Sequence, residues 1–233
     1  MKQQKYIYLS YTLNEQTPTY GDRNQFTMLK TSEIAQGNVA NDTFIKTTVH
    51  IGTHIDFPYH FYDNGQTIED FDNPTFWCFS KEEVLIVELE MDDTLIIESS
   101  LVTALEQLQQ RKSLKDVRLL IVKTGICHFR NTEKFWKNNY GFHPSLASFL
   151  RKNCPKLVIF GFDSISVSSF QYRILGREAH RAFLDPKHPI LLLEDMNLVD
   201  INAKTVFSEI VVTPLRIQNC DAAPCTIVGK IDV

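Results

Sequence analysis

Apolar runs of strand length recur along this chain. KYIYLSYTL near the start, EVLIVEL (83–89), VRLLIVKTG (117–125), KLVIFGFD (156–163), ILLLED (190–195) and FSEIVVTPLRI (207–217) are mostly rich in Ile, Val and Leu, with polar or turn residues at their ends. They predict buried strands. Two stretches carry the helical period instead. SSLVTALEQLQQ sets Leu101, Leu105 and Leu108 on one face, with Ser99 or Ser100 as N-cap. In HPSLASFLRKN, Pro144 suits the first turn, and Leu146, Phe149 and Leu150 form a stripe for burial. No repeat, low-complexity tract or obvious linker divides the chain. Many strands with few helices predict one sheet-dominated α/β domain spanning 1–233.

The segment TVHIGTHIDFPYHF (48–61) stands apart in its chemistry. Three of the chain's seven histidines, His50, His54 and His60, fall within it. A helix would put His50 and His54 on one face. Against that, Thr47, Thr48, Val49, Ile51, Thr53 and Ile55 are β-branched, Gly52 interrupts them and Pro58 breaks the next turn. A strand sorts the same residues simply. Thr47, Val49, Ile51, Thr53, Ile55 and Phe57 share one face, while His50, Gly52, His54, Asp56, Pro58 and His60 share the other.

A strand rises about 3.3 Å per residue, so His50 and His54 stand about 13 Å apart if the chain is straight. No ion with bonds of about 2.0–2.1 Å reaches both. Shared ligation requires a bend at Gly52–Thr53, where glycine tolerates backbone angles that other residues avoid. A lone histidine here would read as a polar residue on a solvated strand face. Three of them with an aspartate in register, and a glycine where the bend is needed, read as a metal site. Two imidazoles and a carboxylate make the donor set of catalytic zinc or manganese, with positions left for water and substrate. His60 serves either as a fourth ligand or as a general acid or base beside the ion.

Partners must come from elsewhere in the chain. Glu194, followed by Asp195, closes an apolar run, and an acid there must be paired, exposed or metal-bound. Spacing alone does not choose between a ligand and a structural salt bridge. His188, beside Pro189, reads as exposed, and His143 as the start of a helix.

Composition narrows the partners. A chain of 233 residues with 43% apolar content suffices for a substantial core. A net charge of −4 and a pI near 6.0 leave no footprint for nucleic acid or an anionic membrane. MKQQKYIYLSYTLNEQ lacks the apolar centre of a secretory signal, and no run approaches the roughly 18–20 apolar residues that cross a bilayer. Five cysteines (Cys78, Cys127, Cys154, Cys220, Cys225) are odd in number, scattered and free of any CxxC pair. That pattern suits reduced thiols in a cytoplasmic protein.

Several segments together resemble one family. HIGTHIDFPYHF is similar to the HxGTHxDxPxHF signature of the cyclase family of metal-dependent hydrolases, which includes bacterial kynurenine formamidases and isatin hydrolases. IYLSYTLNEQTPTYGD resembles the family's opening strand and aromatic-Pro-Gly-Asp loop, here without that proline. LLIVKTG and HPSLASFLRKNCPKLVIFGFDSISV match its central strand, helix and strand, and AHRAFL followed by ILLLEDMNL matches its distal His and Glu block. The resemblance implies a swivelling β/β/α fold and an amide hydrolase. By it, His50, His54 and Asp56 are ligands to a first ion, with Asp56 able to bridge two. His180 and Glu194 are ligands to a second ion, and His60 is the catalytic histidine. Asp185, Pro186, Lys187 and His188 lengthen the interval between the two distal ligands.

The implied chemistry is an attack by metal-activated water on the acyl carbon of a small amide. His60 then carries a proton to the leaving nitrogen. One or two Zn2+ or Mn2+ ions are expected, with an aryl formamide of the N-formylkynurenine type as substrate. A cyclic amide or imide such as isatin, or another small acyl compound, is the alternative. Tyr20, Phe61 and Trp77 offer walls for a flat substrate, whereas Phe57 suits the core equally. Family likeness further implies a homodimer or larger assembly. A reading of another class stays open, a metal-stabilised binding protein without turnover. A closed structural zinc site favours cysteine, however, and the nearest one, Cys78, is remote.

Overall fold

The structure, a computed structural model, describes residues 4–90 and 94–232. The chain opens with β1 (Gln4–Tyr8), then a hairpin of β2 (Thr27–Ser32) and β3 (Asp42–Lys46). The histidine segment supplies β4 (His54–Asp56). After it come β5 (Cys78–Ser80), β6 (Val84–Glu88), β7 (Ile96–Ile97) and helix α1 (Ser99–Gln109). The middle of the chain holds β8 (Leu119–Lys123), α2 (Lys134–Lys137), β9 (Gly141–Phe142), α3 (Ser145–Asn153) and β10 (Ile159–Phe162). It ends with α4 (Arg173–Phe183), β11 (Leu191–Glu194), β12 (Phe207–Pro214) and β13 (Ala222–Asp232). Each of the six apolar runs contains one strand.

One large mixed sheet organises these elements, in the order β5-β12-β13-β4-β11-β10-β8-β6, with β1 also paired to β13. From β11 to β6 the strands run parallel, and from β11 through β4 to β5 they alternate. The two ends of this path, β5 and β6, are joined by the single turn Lys81–Glu83, so the sheet nearly closes on itself. The unbroken apolar runs follow from that closure, because the central strands are covered on both faces. Leu119 and Ile121 of β8, with Ile159, Leu191, Leu193 and Ile55, fill the interior. Leu120 and Val122, with Phe160, Phe162 and Leu192, face outward and pack against Leu101, Leu105, Leu146, Leu150 and Phe183 of the helices. This is the sheet-dominated α/β architecture that the residues and the resemblance both predict.

Several local expectations change. Helix α1 begins at Ser99 with Glu98 at the cap position and no side-chain cap, so neither serine has that role. The strand expected across 47–61 is three residues long. Gly52, at φ +56°, turns the chain just before it, and Pro58–His60 coil into a 3-10 turn after it. The bend at Gly52–Thr53 is therefore present, and it is sharper than a bulge. Thr53 anchors it, donating its hydroxyl to the Asp195 carbonyl at 2.6 Å and accepting from the Tyr11 amide at 3.1 Å. A methyl group on Gly52 would meet Leu13 Cδ2 at 2.5 Å. Gly52→Ala is therefore expected to cost about 1–2 kcal/mol from the left-handed backbone alone. Denaturant unfolding checks this, and an unchanged midpoint would mean that the bend does not depend on glycine.

Three elements carry no sequence signal of the expected kind. The hairpin β2–β3 is mostly exposed, so burial did not shape its pattern. Strand β13 carries Pro224 and short or polar residues among its apolar ones. Helix α4 buries Gly176, Ala179, His180 and Phe183, a stripe built largely from small and polar side chains. Gly176 lets α4 lie against Ser168, where a larger residue would clash. Arg151 of α3 fixes the other end, donating to the Ala182 and Phe183 carbonyls at 2.7 and 3.0 Å. His180 is held between these two constraints. Among the described residues, no helix is long and apolar enough to cross a membrane.

Candidate metal centre

Five side chains from three parts of the chain converge where β4 and β11 lie side by side. The antiparallel register sets Glu194 opposite His54 and Leu192 opposite Asp56, which brings the end of β11 to the histidine segment. His54 is nearly buried, and Asp56 and Glu194 are almost wholly so, at 1% and 2% exposure. The bend at Gly52 carries His50 back, so that its ring centroid lies 5.3 Å from that of His54. Helix α4 adds His180 from above.

Asp56 sits at the centre with one oxygen toward each side. His50 Nδ1 and His54 Nε2 lie 2.9 and 3.5 Å from Oδ1, and His180 Nε2 lies 3.6 Å from Oδ2. Glu194 spans the same gap, with Oε2 3.4 Å from His54 Nε2 and Oε1 3.9 Å from His180 Nε2. Two ligand atoms held tetrahedrally at about 2.1 Å from one ion stand about 3.4 Å apart. The observed separations cluster around that edge length.

The outer hydrogen bonds set which nitrogen of each ring faces inward. A carbonyl or carboxylate oxygen only accepts, so the ring nitrogen against it must carry hydrogen. His54 Nδ1 donates to the Gly52 carbonyl at 2.8 Å, and His180 Nδ1 to the Gly176 carbonyl at 2.9 Å. His50 Nε2 donates to Asp221 Oδ2 at 2.8 Å. In each case the other nitrogen is turned toward Asp56. Outer partners of this kind are what orient imidazoles for metal ligation.

The charges show what the cluster needs. Asp56 and Glu194 are two carboxylates in a dry site, and neither Asp56 oxygen has an aligned hydrogen bond despite complete burial. An unpaired buried carboxylate is costly. Without a metal, the histidines supply the positive charge. Burial alone would lower the pKa of His50, but Asp56 and Asp221 outweigh it and raise it to about 10. His54 and His180 are likewise raised against their burial, His54 chiefly by Glu194 and His180 chiefly by Asp56. Burial acts on Asp56 in the opposite direction, yet the surrounding imidazoles hold it well below the usual carboxylate range. This donor set of three imidazoles and two carboxylates fits one or two divalent ions.

The sign of a pH effect follows. In the metal-free chain His50 keeps its extra proton up to about pH 10, whereas a ligand imidazole must be neutral. Zinc or manganese uptake at pH 7 is expected to release at least one proton, and affinity should rise with pH. Calorimetry in buffers of different ionisation enthalpy reads this directly. Uptake with no proton release would contradict the arrangement.

Beside the cluster lies a cavity of about 350 Å³. Tyr20, Phe61 and His60 line it together with the cluster itself. Phe61 stacks on the His180 ring at 4.6 Å. Trp77 does not reach the cavity. It is packed in the interior with its indole nitrogen donating to the Phe71 carbonyl at 3.1 Å, because the 3-10 turn Pro74–Trp77 directs it into the core. Phe57 is also a core residue. A larger depression of about 870 Å³ lies across Thr53, but no histidine or carboxylate lines it.

Spacing left open whether the acid pair Glu194–Asp195 ligates or forms a salt bridge, and the structure gives the two residues different neighbours. Strand β11 ends at Glu194, and Asp195 follows at φ +50°, so the chain turns between the two acids. Glu194 faces the cluster, its Oε1 also accepting from the Val167 amide at 2.7 Å. Asp195 pairs with Arg130 in a two-pronged contact at 2.9 and 2.7 Å. His143 precedes α3 and His188 is exposed, both away from the centre.

Asp221 is the one residue of this centre that the sequence did not single out. It lies just before β13, and its Oδ2 accepts from both His50 Nε2 and His60 Nδ1, the latter at 3.0 Å. The acid in NCDAAPC carries no motif, and only the pairing of β13 with β4 brings it beside residue 57. With Nδ1 so engaged, His60 keeps its Nε2 for the cavity. A His60 ring nitrogen, an Asp56 oxygen and a His180 nitrogen all lie within 4.8 Å of one another.

Known proteins resemble this chain along most of its length. A kynurenine formamidase of Bacillus cytotoxicus is 26% identical over 224 residues, 96% of each chain. Cyclase-like protein 1 of Arabidopsis thaliana is 25% identical over 203 residues, 83% of this chain and 71% of that protein. Among solved structures, isatin hydrolase A from Labrenzia aggregata bound to benzyl benzoate shares the fold, with a TM-score of 0.78 at 18% identity over 99% of this chain and 94% of that one. Residues 7–169 match the family described as "Putative cyclase", and with most of its length inside that match the chain belongs to this family.

Proposed function

We propose that residues 1–233 form one metal-dependent hydrolase domain that cleaves the C–N bond of a small amide, an aryl formamide. Its relatives named as kynurenine formamidases support that substrate type. The observation that carries the reading is the paired carboxylates, Asp56 and Glu194, each with one oxygen toward the His50–His54 side or His54 and the other toward His180. His50, His54 and Asp56 would hold one ion, and Asp56, His180 and Glu194 a second. Zinc and manganese both suit these donors. A bound ion supplies Lewis acidity, polarising the acyl oxygen and lowering the pKa of water from 15.7 toward about 7.

The chain's own groups do the rest. Tyr20 and Phe61 confine a flat substrate beside the cluster. Asp221 fixes the His60 ring through Nδ1, which aims Nε2 into the cavity. His60 then passes a proton to the departing nitrogen, so that a neutral amine leaves rather than an amide anion. The reading carries the further expectations of a cytoplasmic protein, in keeping with five unpaired thiols, and of a homodimer or larger assembly.

Turnover of N-formylkynurenine, formanilides and isatin by metal-analysed protein tests it. Release of formate from the first two supports the aryl formamidase. Ring opening of isatin alone moves the substrate to cyclic amides, the activity for which the structural relative is named. Loaded protein that turns over none of them, nor any other small amide, would favour a binding protein without catalysis.

A further inference from the structure

The same cavity has a feature that amide hydrolysis itself does not require. Arg23, Arg173 and Arg177 line it along with the metal centre. Among the described residues, none of the three is paired with a carboxylate. Arg173 only donates to the Phe170 carbonyl at 3.3 Å, with its guanidinium 3.9 Å over the Phe170 ring. Elsewhere the buried or half-buried arginines are engaged, Arg130 with Asp195, Arg118 with Glu83 and Arg151 with backbone carbonyls. Arg111 and Arg181, also without a carboxylate partner among the described residues, lie outside this cavity, whereas Arg23, Arg173 and Arg177 are exposed and meet at it.

Their placement follows from helix α4. Arg173, Arg177 and His180 are spaced i, i+4 and i+7, which puts them along one face. At 1.5 Å rise per residue, Arg177 and Arg173 stand about 4.5 and 10 Å along the axis from His180. That is the reach of one substituted aryl ring from a carbonyl at the metal centre. Tyr20, whose ring meets Phe170 edge-on at 5.5 Å, lines the same cavity. The charges of Arg173 and Arg177 reach its hydroxyl and oppose the burial that raises its pKa to about 12.

We propose that Arg173 and Arg177, assisted by Arg23, form an anion subsite that selects aryl amides bearing a carboxylate on the ring or its side chain. This rests on the hydrolytic reading for its substrate and on the cavity geometry for its ligand. A guanidinium presents parallel N–H donors that match a carboxylate, and such pairs are the stronger kind of hydrogen bond. The aryl ring would lie against Phe61 and Tyr20, with the amide toward His60 and the carboxylate toward the mouth.

The test compares two substrates with the same scissile bond, N-formylanthranilate and neutral formanilide, on the metal-loaded protein. The ratio of their kcat/KM values is expected to favour the anion by at least about 10-fold. It should fall by a similar factor in the double variant Arg173→Gln/Arg177→Gln, mainly through KM for the anionic substrate. Added salt should erode the same ratio, since both arginines are exposed. A second arm needs no turnover. Benzenesulfonate, a poor metal ligand, should bind the wild-type protein about 10-fold more tightly than neutral methyl phenyl sulfone, and the variant should lose that preference. If neither amide is hydrolysed, the aryl formamide reading fails and the binding arm alone decides the subsite. A sulfonate preference absent from the wild type, or equal in wild type and variant, would overturn the proposal.

Discussion

Asp56→Asn is expected to abolish metal uptake and with it hydrolysis, while the chain still folds. The amide keeps the size of the carboxylate but loses the negative charge and one acceptor oxygen. Both lost features matter here, since Oδ1 serves the His50–His54 side and Oδ2 the His180 side. No neighbour replaces them, because Glu194 is already directed at His54 and His180. Metal content should fall to trace levels, and turnover by at least roughly 10³-fold. In the metal-free state the substitution removes the anion that His50, His54 and His180 face, and these imidazoles can go neutral in response, so the chain is expected to fold with some loss of stability. Melting with and without added zinc separates loss of the ion from loss of the fold. Wild-type protein should gain stability from the ion in proportion to ln(1 + [L]/Kd), and the variant should gain none. A variant that still carries stoichiometric metal would remove Asp56 from the centre.

His60→Ala should do the reverse, keeping the metal and losing the reaction. His60 is tied to Asp221 rather than to the central carboxylate, and it is partly exposed to the cavity at 27%. A proton-transfer role is worth ~10²–10⁴-fold in rate, and that is the expected fall in kcat. Asp221→Asn should produce a smaller loss, roughly 10–100-fold, since it leaves both imidazoles in place and removes only the anion that orients them. It also touches His50, so metal affinity should weaken in this variant but not in His60→Ala. If His60→Ala hydrolyses every substrate at the wild-type rate, the histidine has no part in proton transfer. If it loses metal, His60 is a ligand instead, which its distance from Asp56 and His180 also permits.

Much of the centre is legible in the chain because local sequence carries its own geometry. Alternation in TVHIGTHIDF separates Ile55 and Phe57, which enter the core, from His54 and Asp56, which face the cluster. Gly52 marks the bend, because glycine adopts its left-handed backbone angle at no steric cost. The buried strands are legible for a similar reason, since a strand covered on both faces must be apolar throughout. Legibility ends where a residue's meaning depends on a distant neighbour. Trp77 has the chemistry of a pocket wall, but its turn points it into the core. Helix α4 escapes notice because its buried stripe holds Gly176, Ala179 and His180 rather than large apolar residues.

The sequence by itself determined the kind of chemistry: a strand face with imidazoles and a carboxylate, a glycine to bend it, and a second acid at the end of a buried run. These are properties of short segments, set by backbone sterics and side-chain period. The tertiary structure alone decided which acids take part. Glu194 and Asp195 are adjacent and chemically alike, yet the turn of the chain after β11 leaves one against His54 and the other against Arg130. Asp221, Arg173 and Arg177 come to the site only because β13 pairs with β4 and α4 sets His180 against Glu194. Long-range register and helix packing are set by the whole core, so no window of sequence contains them.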